Sequence, residues 1–322
     1  RYNQDYGVLS FTAVHGLYNR VTAYGNGDSG VYPGSNQKGC DAVGDYALPD
    51  DGTCGTDPGS RAACGEPTTE IKNSDSYGNV LGYSGTAGNS TYLHDNRFHD
   101  NSTGLSTDSF AAGHPGMPQE CVVWENNQIY SNNNNNFTTE RQQYCSETPF
   151  VDRSRKIVCP QFQVPVGTGI IMAGANRNLV RNNQIYDNWR YGLMLINVEA
   201  VIRGDTDPAH QLDTSNGNQI LDNVMGVGAD GNPAPNGDDL LWDVGGQGNC
   251  FEGNHGPGGA AATIANVTAL LTPLMKCPGS PIYLPSQPTV QAPLVPCAAW
   301  DPNVELLQNP PGCDWFITPP KP

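Results

Sequence analysis

Apolar residues along this chain occur singly or in short runs, and asparagine or glycine frames many of them. The most regular unit is a hexapeptide with Asn at both ends and an apolar third residue. It reads Asn96-Arg97-Phe98-His99-Asp100-Asn101 and returns at Asn127 to Asn132 around Ile129, Asn183 to Asn188 around Ile185, Asn218 to Asn223 around Ile220 and Asn249 to Asn254 around Phe251. A second unit sets Gly and an aliphatic residue shortly after such an Asn: Gly104-Leu105 after Asn101, Gly192-Leu193 after Asn188, Gly226-Val227 after Asn223, Gly7-Val8 after Asn3 and Gly30-Val31 after Asn26. Asn3 and Asn26 lie 23 residues apart, a length that suits one circuit of a β-solenoid. The pattern predicts short strands whose apolar residue points inward, stacked about 4.8 Å apart. With Asn19 opening the earliest copy, the inward column runs Val21, Phe98, Ile129, Ile185, Ile220 and Phe251. Asparagine at a corner hydrogen-bonds to its equivalents above and below and tolerates the left-handed backbone a sharp corner needs; glycine serves the same corner.

Later copies are spaced more widely, so loops must leave the coils. The largest, about 32–69 and 133–166, hold Cys40, Cys54 and Cys64, then Cys145 and Cys159, which predicts disulfide-stapled excursions. Gly7-Val8 is the second half of a coil without its first half, so the chain is expected to begin in mid-turn, one coil or more upstream being absent. The repeat domain covers 1–254, and 255–322 is expected to form a cap and a Pro-rich arm. In that arm Ala260 to Met275 would form a short helix over the last coil, and the irregular remainder would be pinned by Cys277, Cys297 and Cys313.

Composition sharpens the class. With 322 residues, 38 Gly, 26 Pro and 37% hydrophobic residues, the chain is turn-rich yet periodic, which favours one all-β repeat architecture over two compact cores. A formal net charge of −16 opposes encounter with nucleic acid or an anionic membrane surface. The cysteines number ten, an even count with no CxxC pair, and favour disulfides in an oxidising compartment, hence a secreted or cell-surface location. No apolar run approaches the roughly 18 residues of a membrane span.

The Asn-framed units resemble the repeat of pectate-lyase-like proteins, mannuronan epimerases and periplasmic copper-site maturation proteins of the nitrous-oxide reductase system, over about residues 1–254. More closely, Gly167-Thr168-Gly169-Ile170 through Asn188-Trp189-Arg190-Tyr191-Gly192, followed by Asp239-Leu240-Leu241-Trp242-Asp243 and Gly248-Asn249-Cys250, resembles secreted right-handed parallel β-helix proteins of bacteria with no assigned role. The resemblance implies a right-handed parallel β-helix and leaves the chemistry open, since one fold hosts many functions.

Inverting hydrolysis of a glycosidic bond needs carboxylates on both sides of it. Asp238-Asp239 and His255-Gly256 occur in the polygalacturonase order, but the Asn-Thr-Asp of that pattern is missing and only Lys276 and Lys321 follow as basic residues. Elimination or epimerisation needs a cation to acidify the proton beside a uronate carboxylate and a base to remove it. Stacking the copies puts Asp187 and Asp222 in adjacent coils of one outward column, a candidate calcium seat, with Asp100 two copies before Asp187. Arg181 and Arg190 bracket that coil as neutralising groups or bases. His99, Tyr130 and Tyr186 form an outward aromatic stripe suited to sugar rings, with Trp242 as a further contact, and Asp238, Asp239 and Asp243 beside it form a second candidate calcium site. The structural alternatives are solvated turn carboxylates, a sheet-stabilising ladder and an acidic loop. The expected function is binding or processing of an acidic extracellular polysaccharide, lyase- or epimerase-like, and the alternative is a noncatalytic structural or adhesive component. Expected partners are polysaccharide or other extracellular chains, copies of itself included.

Overall fold

Strands of two to six residues, many of them joined by corners of only two or three residues, close into three all-parallel sheets. The computed structural model describes residues 1–13, 16–34, 67–111, 114, 116–198, 206, 215–265, 268–269, 273–298 and 312–322. Sheet A holds β1 (Val8–Phe11), β4 (Ser29–Gly34), β7 (Leu81–Thr86), β10 (Thr103–Asp108), β13 (Thr168–Ala173), β16 (Tyr191–Ile196) and β19 (Asp238–Trp242). Sheet B holds β2 (Gly16–Asn19), β5 (Thr69–Lys72), β8 (Thr91–His94), β11 (Val123–Glu125), β14 (Leu179–Arg181), β17 (Gln219–Leu221) and β20 (Cys250–Glu252). Sheet C holds β3 (Thr22–Tyr24), β6 (Asp75–Tyr77), β9 (Arg97–His99), β12 (Gln128–Tyr130), β15 (Gln184–Tyr186) and β18 (Val224–Met225). Each circuit gives one strand to A, B and C in turn and pairs with the next circuit in register, an arrangement compatible with the expected parallel β-helix.

The sheet register corrects the predicted columns. Asn-x-apolar-x-x-Asn is the signature of any three-residue strand between two corner asparagines, and sheets B and C both consist of such strands. The copies around Phe98, Ile129 and Ile185 belong to sheet C, whose interior column runs Ala23, Ser76, Phe98, Ile129, Ile185 and Met225. Those around Ile220 and Phe251 belong to sheet B, in the column Ile71, Leu93, Trp124, Val180, Ile220 and Phe251. Val21 lies outside both columns, packed at the edge of the core. Asn178-Leu179-Val180-Arg181-Asn182-Asn183 fits the same pattern, so one coil carries two copies in tandem.

The corners explain the asparagines. After sheet B the chain turns through positive φ at Arg20, Asn73, Asp95, Asn126, Asn182 and Asp222, and after sheet C at Gly25, Gly78, Asp100, Ser131 and Asp187. The next corner side chain is then buried. At the B–C corner, side-chain amides donate in series from Asn96 to Asn127, Asn183, Asn223 and Asn254 at 2.8–3.0 Å. At the C–A corner the series runs Asn3, Asn26, Asn79, Asn101, Asn132, Asn188 and Asn236. A shorter series joins Asn218 to Asn249. The glycine that follows the C–A corner is required by space: a Cβ on Gly104 would lie 2.4 Å from the Gly169 carbonyl oxygen and 2.9 Å from Asn132 Nδ2. Gly226 is different, a positive-φ corner, so Gly226-Val227 is not a member of that set.

The outer side of sheet A is covered. Ile171, Ala173, Met194, Ile196 and Leu241 on it pack against Ala265 and Val290, and Val80 and Leu81 join Phe137, Val158, Val164, Trp315 and Phe316. The covering pieces are the 133–166 insertion, with α1 (Thr139–Glu147), and the C-terminal arm, with α2 (Pro288–Gln291) and α3 (Val295–Ala298). Disulfides Cys145–Cys159, Cys250–Cys277 and Cys297–Cys313 clamp the insertion, tie the arm to β20 and close the arm on itself. Cys121 is disulfide-bonded too. The expected staple of the first insertion, with Cys40, Cys54 and Cys64, lies outside the described residues. Of the expected helix from Ala260 to Met275, residues 260–265 are extended, bridging Ala261 to His255 and Ile264 to Leu240. No helix among the described residues is long and apolar enough to cross a membrane.

Candidate functional site

Sheets B and C turn their outer faces to solvent, and alternate residues of each strand project there. On sheet C the outward column is aromatic. Tyr24, Tyr77, His99, Tyr130 and Tyr186 stack with ring centroids 4.8–5.2 Å apart and ring planes within 14° of parallel. The sequence-predicted trio His99, Tyr130 and Tyr186 is thus brought together and lengthened by two tyrosines. Its faces are covered, however, because each ring lies over the next. The Tyr24 end meets Tyr2 edge-on, 5.2 Å away. Only ring edges and polar tips remain, which suits sheet stabilisation better than pyranose stacking.

Asp187 and Asp222 do not share a column. Asp187 ends the sheet C segment, where Ser131 Oγ and Trp189 Nε1 donate to its two oxygens at 2.7 and 2.9 Å. Asp222 occupies the B–C corner, its amide donating to Glu252 O, so the calcium seat expected between the two is not formed. The mismatch follows from the tandem copies, which place equal motifs at different corners. Arg190 is engaged structurally, donating to Val166 O, Asp314 and Ile317 O in the C-terminal arm. Trp242 is interior, 1% exposed, with Nε1 donating to Gly245 O, so it offers no groove contact. Asp239 is buried and accepts from Asn236 Nδ2 and the Thr263 amide, while Asp238 beside it is raised in pKa by burial and by Asp239. Asp243 is also buried, accepting from the Asn197 and Gly245 amides. Among the described residues no three His, Cys, Asp or Glu side chains converge as a metal site.

Sheet B carries the denser chemistry. Two outward columns, Glu70–Tyr92 and Lys72–His94–Glu125–Arg181, run across β5, β8, β11 and β14. Arg181, singled out in the sequence, donates from Nε to Glu125 Oε2 at 2.6 Å, and the other Glu125 oxygen accepts a short hydrogen bond from the Tyr92 hydroxyl. The Tyr92 ring stacks on His94, centroids 4.3 Å apart. His94 Nε2 lies 2.9 Å from Glu70 Oε1 and its Nδ1 2.7 Å from Asp95 Oδ2, and Lys72 Nζ donates to Glu70. Burial lowers the His94 pKa, but hydrogen bonds to Glu70 and Asp95 outweigh it and raise it. Burial raises that of Glu125, which Tyr92 and Arg181 more than offset, leaving it low. Desolvation and Glu125 push the Tyr92 phenol up to about 12. The face therefore offers an imidazole whose pKa is raised, a phenol beside a carboxylate whose pKa is lowered, and a guanidinium whose side chain is 46% exposed. Sequence reading missed Glu70, Lys72, Tyr92, His94 and Glu125, which share no local motif. One signal was present: His94-Asp95-Asn96 repeats as His99-Asp100-Asn101.

No protein-family model matches the chain, and neither a curated protein nor a solved structure matches it.

Proposed function

We propose that the chain is a secreted right-handed parallel β-helix of the pectate-lyase-like kind that binds and processes an acidic polysaccharide across the outer face of sheet B, by elimination or epimerisation at a uronate. The observation that carries this reading is the convergence of Arg181, Glu125, Tyr92 and His94 on adjacent strands of a solvent-facing sheet. The Arg181 guanidinium pairs with the uronate carboxylate and makes the neighbouring carbon-bound proton more acidic. The Tyr92 oxygen takes that proton as its own passes to Glu125, a concerted transfer required because the free phenol is a weak acid here. The imidazolium form of His94 then delivers a proton to the leaving sugar oxygen in elimination, whereas in epimerisation solvent water reprotonates the carbon on its opposite face. Arg190, Asp187 and Asp222 are left to structure. Three disulfides support an oxidising, extracellular setting.

One observation favours a noncatalytic rod: the described charges of this face already pair with one another, and the sheet C rings stack on themselves. A panel of uronate polymers separates the two readings. Ultraviolet absorbance follows unsaturated ends and proton NMR follows inverted sugars. The catalytic reading expects one of these products, with the rate lowered about 100-fold or more in Tyr92→Phe and Arg181→Gln. A folded protein that changes no polymer in the panel overturns it.

A further inference from the structure

Away from sheet B, the disulfide-clamped insertion reaches back to the first coil and encloses a cleft of about 500 Å³, within the size range of small-ligand sites. Among the described residues its wall contains Arg1, Arg153 and Arg155 and no acidic side chain, although the chain has twice as many Asp and Glu (32) as Lys and Arg (16). Chance placement on so acidic a protein would surround a cation with carboxylates. The same lining carries Phe150, 51% exposed, and Tyr2, and Asn3 and Gln4 add amide side chains to it.

The basic loop is held in place before any ligand arrives. Cys145–Cys159 joins its ends. Arg153 donates from Nε to Thr148 O and from Nη2 to Cys145 O, which orients its guanidinium. The Ser154 amide donates to the Tyr144 hydroxyl at 2.7 Å, and the Gln161 amide donates to Gly27 O at 2.8 Å, docking the loop on the coil beneath. Arg155 is exposed at the rim. Preorganised cations and aromatic rings lining one cleft, with amide side chains among them, match a ligand bearing a carboxylate on a ring with one apolar face and several hydroxyls.

We propose that this cleft is a second binding site, which takes a terminal hexuronate unit of an acidic saccharide. The choice of ligand rests on the glycan-directed reading of sheet B, but the site itself is separate in the fold. It would anchor a chain end at the C–A corner, away from the sheet where chemistry is assigned.

Calorimetric titration of the whole chain with a hexuronate trimer tests this, with a neutral trimer, a sulfated disaccharide and inorganic sulfate as comparisons. The trimer is expected to bind, more weakly at higher salt, and the neutral trimer and inorganic sulfate are not. Arg155→Gln and Phe150→Ala, both at exposed positions, are expected to weaken binding about tenfold or more, whereas Lys276→Gln, equal in charge change and remote, leaves it unchanged. Absent hexuronate binding, a preference for the sulfated disaccharide, or equal losses in all three variants overturns the proposal. Titrating Arg181→Gln, which lacks the sheet B carboxylate contact, reports the cleft, so a silent titration with intact turnover of the parent counts against the cleft alone, and lost turnover with intact titration bears on sheet B alone.

Discussion

Asn132 shows what a corner residue does. Its Oδ1 accepts from the Asn101 amide at 3.2 Å and from Asn101 Nδ2 at 3.0 Å, and its Nδ2 donates to Phe98 O and to Asn188 Oδ1. The side chain is fully buried, so Asn132→Ala takes one hydrogen-bond partner from each of four polar groups in the two adjoining coils. The expected loss is about 3 kcal/mol in urea unfolding, against under about 0.5 kcal/mol for Asn232→Ala on an exposed loop. Gly104 is constrained from the opposite direction. A methyl group there meets backbone 2.4 Å away, so Gly104→Ala is expected to cost about 2 kcal/mol or more in the same measurement.

At the scale of the element, two adjacent strands end in the same device. His94 sits between Glu70 and Asp95, and His99 between Asp75 and Asp100, so each imidazole clamps its own coil to the one before. Burial opposes protonation of both rings, but hydrogen bonds and the facing carboxylates raise both pKa values. A raised histidine pKa contributes stability that is complete below the unfolded value of about 6.5 and is lost as pH rises through the folded value. Glu70 has the opposite sign: His94 and Lys72 lower its pKa, so its contribution is lost as pH falls through that lowered value. The thermal midpoint is therefore expected to decline as pH rises above about 6.5, and the His94→Gln, His99→Gln double variant to flatten that decline. The same two strands show what the sequence reveals. Their asparagines and the inward Phe98 are legible because the corner ladder calls for asparagine in coil after coil and frames the apolar residue between. Which sheet a copy occupies is not, since three-residue strands of B and C have identical patterns. The site is illegible for a related reason: Glu70, Tyr92, Glu125 and Arg181 come from four coils separated by loops of unequal length, and only three-dimensional register aligns them.

For the whole molecule, the arm and insertion decide which faces stay open. Sheet A carries apolar residues on both sides of β13, β16 and β19, and the arm supplies outer cover through Val290, Trp315 and Phe316. A chain ending before residue 273 would bare Ile171, Met194, Ile196 and Leu241, and size-exclusion chromatography is expected to show self-association in place of the full chain's discrete peak. With A covered, and sheet C lined by rings that stack on one another, sheet B remains as the face where a guanidinium, a carboxylate, a phenol and an imidazole meet. The two histidine clamps provide a matched comparison, since each ring is held by two carboxylates but only His94 lies beside Tyr92, Glu125 and Arg181. The decisive measurement is kcat on a uronate polymer for His94→Gln beside His99→Gln. Both variants are expected to lose similar stability; His94→Gln is expected to lose about 100-fold or more in kcat, and His99→Gln to keep the parent rate. Equal rates in the two variants would contradict the assignment of the chemistry to sheet B.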